Sequence, residues 1–163
     1  MIVVTIGDIK GIGIEILINL WVQKKINNFV LVTNYKIFQD YLKKENIKIP
    51  TKKINENIKF FRKYFLVYDI KTKNNITNTY DSLIKSYELI KKEKLKGLIT
   101  LPLNKEKMKK IDNKFIGHTE FFQKLDKKKN VNMLFIYKNT FITTLTTHIE
   151  LKYVNKYLSD KKN

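Results

Sequence analysis

The feature that most constrains the fold is a regular exchange of short β-branched runs with helix-period segments, starting at the first residues. Residues 2–6 form an apolar, β-branched run closed by Gly7-Asp8, and Ile12–Val22 follows with apolar positions dense enough for a buried helix. The pair reads as strand, glycine turn and helix. Phe29–Thr33 predicts a second strand, and Asn34 predicts the cap of a helix over 35–45 with Ile37, Phe38, Tyr41 and Leu42 on one face. Phe65–Asp69 reads as a third strand, 71–77 as a polar loop, and 79–93 as a helix turning Leu83, Ile84, Tyr87 and Ile90 inward. Gly97–Thr100 is a short buried strand ended by Pro102, and 105–111 a short helix. A loop over 115–119 leads into a helix from 120 to 125. Residues 131–137 and 141–145 then predict a hairpin about Lys138-Asn139, with His148 after its second strand. Strands interleaved with helices predict an α/β fold: a largely parallel sheet holding the first four strands, plus one antiparallel pair.

Composition narrows the chemistry. The 163 residues fit one domain or one domain plus part of another, and 43% hydrophobic content with 12% aromatics supplies a core. No cysteine is present, which excludes disulfides, thiolate metal sites and a cysteine nucleophile. The longest apolar stretch, 11–22, is interrupted by Glu15 and falls short of the roughly 20 residues that span a bilayer. The first residues lack a basic region and a cleavage site, so a cytoplasmic protein is expected. The formal net charge is +18, yet Arg62 is the one arginine among 33 basic side chains and alanine is absent. Lysine, asparagine and isoleucine share A/T-rich codons, so coding bias accounts for much of the excess. A nucleic-acid reader of this charge more often uses arginine, whose fork pairs with guanine.

Two segments carry the candidate chemistry. In the first, residues 7–15, Gly11-Ile12-Gly13 begins a G-x-G-x-x-G pattern, but position 16 is isoleucine and Glu15 stands at the helix start, unfavourable beside a diphosphate. The spacing favours a structural turn, with Asp8 shaping it through a side-chain hydrogen bond. The second set is Gly97-Leu98-Ile99-Thr100-Leu101-Pro102-Leu103-Asn104-Lys105, then Phe115-Ile116-Gly117-His118-Thr119-Glu120-Phe121-Phe122, then Thr146-Thr147-His148. Imidazole and hydroxyl at the entrance to a helix can bind carboxylate, amine or hydroxyl groups. The plain alternative makes Thr119 an N-cap and His118 a solvated loop residue. Glu120 suits the first helical turn, and Lys105 either steers phosphate or is one solvated lysine among many.

With residues 5–16, these blocks resemble the 4-hydroxythreonine-4-phosphate dehydrogenase family of pyridoxal phosphate biosynthesis, whose members carry I-T-x-G-D-P-x-G-I-G-P-E, I-T-x-P-x-x-K, G-H-T-E and T-T-H segments in this order. Here Ile9 and Ile14 replace usual prolines and Leu101 a usual glycine. The resemblance implies an isocitrate/isopropylmalate dehydrogenase-like fold, with 1–114 as a first α/β lobe and 115–163 as the beginning of a second. It implies NAD or NADP as oxidant, and a divalent metal (zinc, magnesium or cobalt) held by three histidines. His118 and Thr119 match substrate-binding positions and His148 matches the first metal ligand; no catalytic residue is assigned. A phosphorylated hydroxy acid is the implied substrate, and the implied partner is a second copy or a separate C-terminal half. The family proteins are about twice this length, so the alternatives are a non-catalytic remnant of that enzyme and, further off, a basic nucleic-acid-binding module. If coding bias produced the charge, affinity for duplex DNA is expected to be weak and lost by physiological salt. Tight, sequence-selective binding in a salt titration would contradict this.

Overall fold

The structure, a computed structural model, describes residues 1–160 apart from Asn57, Lys94, Asn130, Thr147 and His148. The chain divides into two units, Met1–Phe122 and Gln123–Asn163. In the first, β1 (Ile2–Thr5), α1 (Ile12–Val22), β2 (Phe29–Thr33), α2 (Tyr35–Lys44), β3 (Thr51–Ile54), β4 (Phe65–Asp69), α3 (Asn75–Lys92), β5 (Gly97–Thr100) and α4 (Lys105–Lys109) follow in order, and the unit ends within α5 (His118–Leu125). The strands form one sheet in the order β3-β4-β2-β1-β5, every neighbouring pair parallel. The four strands read from sequence share this sheet, as expected. Helices cover both faces, which is why β2 is buried throughout and reads as an unbroken apolar run.

One face of the sheet, with Val4, Leu31, Phe65 and Val67, packs against Ile14, Leu17 and Ile18 of α1 and Phe38 and Leu42 of α2. Phe65 is its centre, with the rings of Phe29, Phe38 and Trp21 at 5.2, 5.4 and 5.6 Å. On the other face Val3, Val30, Val32 and Leu66 pack with Leu89 of α3.

The sequence reading of α3 needs correction. Its most buried residues include Asn78, Thr79, Ser82 and Ser86, whereas Ile84, Tyr87 and Ile90 are only half-buried. Asn78, Thr79 and Ser82 satisfy backbone groups where the strands end, whereas the buried Ser86 hydroxyl has no hydrogen-bond partner. The Ser82 hydroxyl accepts from Ile6 N at 3.1 Å and donates to Val32 O at 2.6 Å. Asn78 Oδ1 accepts from Asn34 N at 2.8 Å, its Nδ2 donates to Thr33 Oγ1 at 2.9 Å, and Thr79 Oγ1 donates to Gly7 O at 2.6 Å. The helix also starts earlier than position 79, because the Asn74 side chain accepts from Ile76 N and Thr77 N in a capping box. Strand β3 went unread because Lys52 and Lys53 make it polar. It lies at the sheet edge, where lysines discourage further pairing.

The first unit runs to Phe122. Phe115 and Phe121 are buried, Phe121 meets Tyr80 edge-on at 5.5 Å, and Phe122 stacks on Tyr87 at 6.4 Å. In the second unit β6 (Leu134–Tyr137) and β7 (Thr140–Thr143) form the expected antiparallel hairpin, followed by a 3-10 turn (Leu151–Tyr153) and α6 (Val154–Asp160). The hairpin's apolar side chains are exposed on both faces: Phe135 and Ile142 face one way, Ile136 and Phe141 the other.

Removing the Ser82 hydroxyl orphans one buried donor and one buried acceptor together. Ser82→Ala is therefore expected to lower unfolding free energy by roughly 2–4 kcal/mol in urea denaturation, and a change under about 0.5 kcal/mol would contradict the role given to this hydroxyl.

Candidate functional site

The carboxyl ends of β1 and β5 create the site region. The chain leaves β1 toward β2 and returns on the opposite side at β5, so a topological switch point lies between them. There the two exits are tied together. Asp8 N donates to Pro102 O at 2.9 Å, and Gly7 adopts φ 62°, where an added Cβ would stand 2.4 Å from that same oxygen. A Cβ on Gly13 already has ordinary helical geometry to satisfy, and it would meet Pro102 Cδ at 2.8 Å. The glycines thus serve close approach of the β1–α1 turn to Leu101-Pro102. With Gly11 N donating to Asp8 O at 2.8 Å and Glu15 in the first turn of α1, the turn does not fit a dinucleotide diphosphate.

Beside this junction is a cavity of about 190 Å³ whose lining includes Asp8, Lys10, Thr79, Asn104 and Lys107. Burial pushes the Asp8 carboxyl up, but the Lys107 ammonium at 2.7 Å and the Lys10 N–H at 3.1 Å outweigh it and hold the group below its usual range. Asp8 is thus both the turn-shaping residue expected from sequence and an ionised partner for α4. Asn104 caps that helix by accepting from Lys107 N at 3.0 Å.

The neighbouring lysine of α4, Lys105, belongs to the surroundings of His118. Helix α5 begins at His118, two residues before the expected start, so His118 and Thr119 lie in its first turn and Thr119 is not its N-cap. His118 is half-buried, and its Nε2 is inaccessible to solvent with no hydrogen-bond partner. Burial, and secondarily the positive charge of Lys105, hold the imidazole below its usual value of 6.5. It is therefore uncharged at neutral pH. Thr119 is exposed. A Cβ on Gly117 would stand 3.1 Å from Glu120 Oε2 and 4.0 Å from Lys105 Nζ, so the Glu120 carboxylate and the Lys105 ammonium both lie near that glycine. His118, Thr119 and Lys105 are brought together; His148, the expected metal ligand, lies outside the described residues. Among the described residues no group of three or more His, Asp or Glu could hold a metal ion. The Asp8–Lys107 pair and the polar face of α3 were not foreseen. The latter was signalled by Asn78, Ser82 and Ser86 recurring at four-residue intervals.

Residues 20–162 match the family described as Pyridoxal phosphate biosynthetic protein PdxA. A 4-hydroxythreonine-4-phosphate dehydrogenase from Wigglesworthia glossinidia brevipalpis is 27% identical over 171 residues, covering 97% of this chain and 52% of the relative. That of Sulfurimonas denitrificans is 29% identical over 164 residues, covering 99% and 52%. The crystal structure of the Klebsiella pneumoniae 4-hydroxythreonine-4-phosphate dehydrogenase has the same fold at 22% identity, with a TM-score of 0.78 over 98% of this chain and 53% of that one. The chain spans about half the length of the curated relatives it matches. With a match across most of its length, on a parallel α/β sheet that presents a G-H-T-E segment at a helix start, the chain belongs to the PdxA family of pyridoxal phosphate biosynthetic proteins.

Proposed function

We propose that this chain supplies substrate-binding residues for NAD(P)-dependent oxidation and decarboxylation of 4-phosphohydroxy-L-threonine in pyridoxal phosphate biosynthesis. In this reading its sheet is the first lobe of an isocitrate/isopropylmalate dehydrogenase-like fold, and the hairpin unit begins the second. The observation that carries the reading is His118: an imidazole kept uncharged at the start of α5, with a buried Nε2 that has no protein partner. Such a nitrogen supplies one hydrogen bond to a substrate oxygen, and the adjacent Thr119 hydroxyl supplies another. In this reading the part played by His118 and Thr119 is binding and orientation, which bring the reacting alcohol into line. The reading includes a cytoplasmic setting and a homodimer, or a complementary polypeptide that supplies the other half. No helix among the described residues is long and apolar enough to cross a membrane.

Calorimetry with 4-phosphohydroxy-L-threonine tests this directly. Binding is expected, and His118→Ala should weaken it about tenfold, the worth of one hydrogen bond to a charged ligand. No binding, or binding indifferent to His118→Ala, would refute the reading.

The pH dependence has a definite sign. Because the folded imidazole titrates below 6.5, the folded state binds fewer protons than the unfolded one just under that value. The stability contributed by the uncharged ring is complete above 6.5 and is lost as pH falls from there toward the lower folded value. In urea unfolding, native protein should lose more stability on mild acidification than His118→Gln. Equal losses would show that His118 is not buried in its uncharged form.

A further inference from the structure

A second cavity, of about 640 Å³, opens between the start of α1 and α2, a volume ordinary for small-molecule sites. Its walls are apolar where Ile9, Ile37 and Tyr41 extend the core outward. Ile12, 63% exposed, adds an apolar side chain that the fold itself leaves uncovered. The charges on this lining run against the chain as a whole. Basic side chains outnumber acidic ones 33 to 15 overall, whereas here the carboxylates of Glu15, Asp40 and Glu45 stand against two ammoniums, Lys10 and Lys44. Lys44 pairs with Glu45 at 3.3 Å. Glu15 and Asp40 make no side-chain hydrogen bond or ion pair among the described residues. The dipole of α1 accounts for a carboxylate at Glu15, in its first turn, but not for Asp40, which stands at mid-helix in α2. Burial, and secondarily the charges of Glu45 and Glu15, push the Tyr41 hydroxyl above its ordinary value, so carboxylates from both sides of the groove act on one phenol.

We propose that the groove between α1 and α2 is a binding site for a small organic amine, its ammonium received by Glu15 and Asp40 and its hydrophobic body laid on Ile12, Ile37 and Tyr41. The two unmatched carboxylates supply charge, the Tyr41 ring supplies a face that attracts cations, and the apolar walls supply area to bury. Lys10 and Lys44 on the same lining oppose a second ammonium, so the ligand is a monoamine rather than a polyamine. The site is independent of the reading of His118, which belongs to α5 and does not line this cavity.

Three probes that share a phenyl ring and differ in charge test the site on the whole chain: phenethylamine, a cation at neutral pH, neutral 2-phenylethanol, and anionic phenylacetate. Affinities come from calorimetry and the place of binding from NMR shifts. Phenethylamine is expected to bind saturably, to shift the signals of Ile12, Ile37 and Tyr41, and to bind about tenfold more tightly than either analogue. General attraction to a chain of net charge +18 would favour phenylacetate, so the opposite order reports the local carboxylates. Asp40→Asn and Glu15→Gln, both at exposed positions where the fold tolerates them, should each weaken the amine about threefold to fivefold and leave 2-phenylethanol unchanged. Asp81→Asn removes the same charge from α3, away from this lining, and should change nothing. Ile12→Ser should weaken the amine by a similar factor without altering its preference over phenylacetate. Absence of saturable amine binding, phenylacetate binding as tightly as phenethylamine, an equal loss in Asp81→Asn, or shifts that avoid Ile12, Ile37 and Tyr41 would overturn the site.

Discussion

The site region depends on one helix carrying hydroxyl and amide groups where an apolar face would be expected. A parallel strand that ends in the interior leaves backbone donors and acceptors with no neighbour to continue the ladder, and such groups are costly unless paired. Here Ser82 and Asn78 meet them at the ends of β1 and β2, and Thr79 reaches the carbonyl of Gly7. The positions of residues 6–8 and 33–34 are thereby set by α3 rather than by the loops themselves. Apolar substitutes would fill the volume but leave at least three backbone groups unsatisfied.

From that fixed turn the arrangement spreads through short contacts. Asp8, held by its own Asx bond and by the tie to Pro102, presents a carboxylate that Lys107 of α4 neutralises. The same five-residue helix starts with Lys105 beside Gly117 and His118. A helix this short has little stability of its own, so its place comes from the Asn104 cap, the Asp8 pair and the buried Met108. The electrostatics of the two lysines differ accordingly: one completes an ion pair, the other biases an imidazole toward its uncharged form. In a chain of net charge +18, long-range attraction for anions is general, and selectivity has to come from such local geometry.

Much of this was legible in the sequence. The apolar runs at Phe29–Thr33 and Phe65–Asp69 announced buried parallel strands, Asn34 announced a cap, and the G-H-T-E segment announced the family. What escaped followed physical rules that periodicity of apolar residues does not see. Strand β3 is an edge whose lysines hide its strand character. The inward face of α3 is polar because it serves backbone ends, so the apolar pattern pointed to Ile84, Tyr87 and Ile90 instead. The start of α5 moved because Gly117 O accepts from Phe121 N, drawing His118 and Thr119 into the first turn. The reach of the first unit to Phe122 depends on ring contacts between α3 and α5 that only the folded chain displays.

The central claim is that α3, through its buried polar side chains, holds the strand ends that frame the site. Native-state hydrogen exchange of the amides of Ile6 and Asn34 tests it most directly, because both donate to α3 side chains rather than to the strand ladder. The account predicts protection comparable to that of Val4 and Leu31 within the strands, collapsing for Asn34 alone in Asn78→Ala. Exchange of both amides at loop-like rates in the unmodified chain would contradict it.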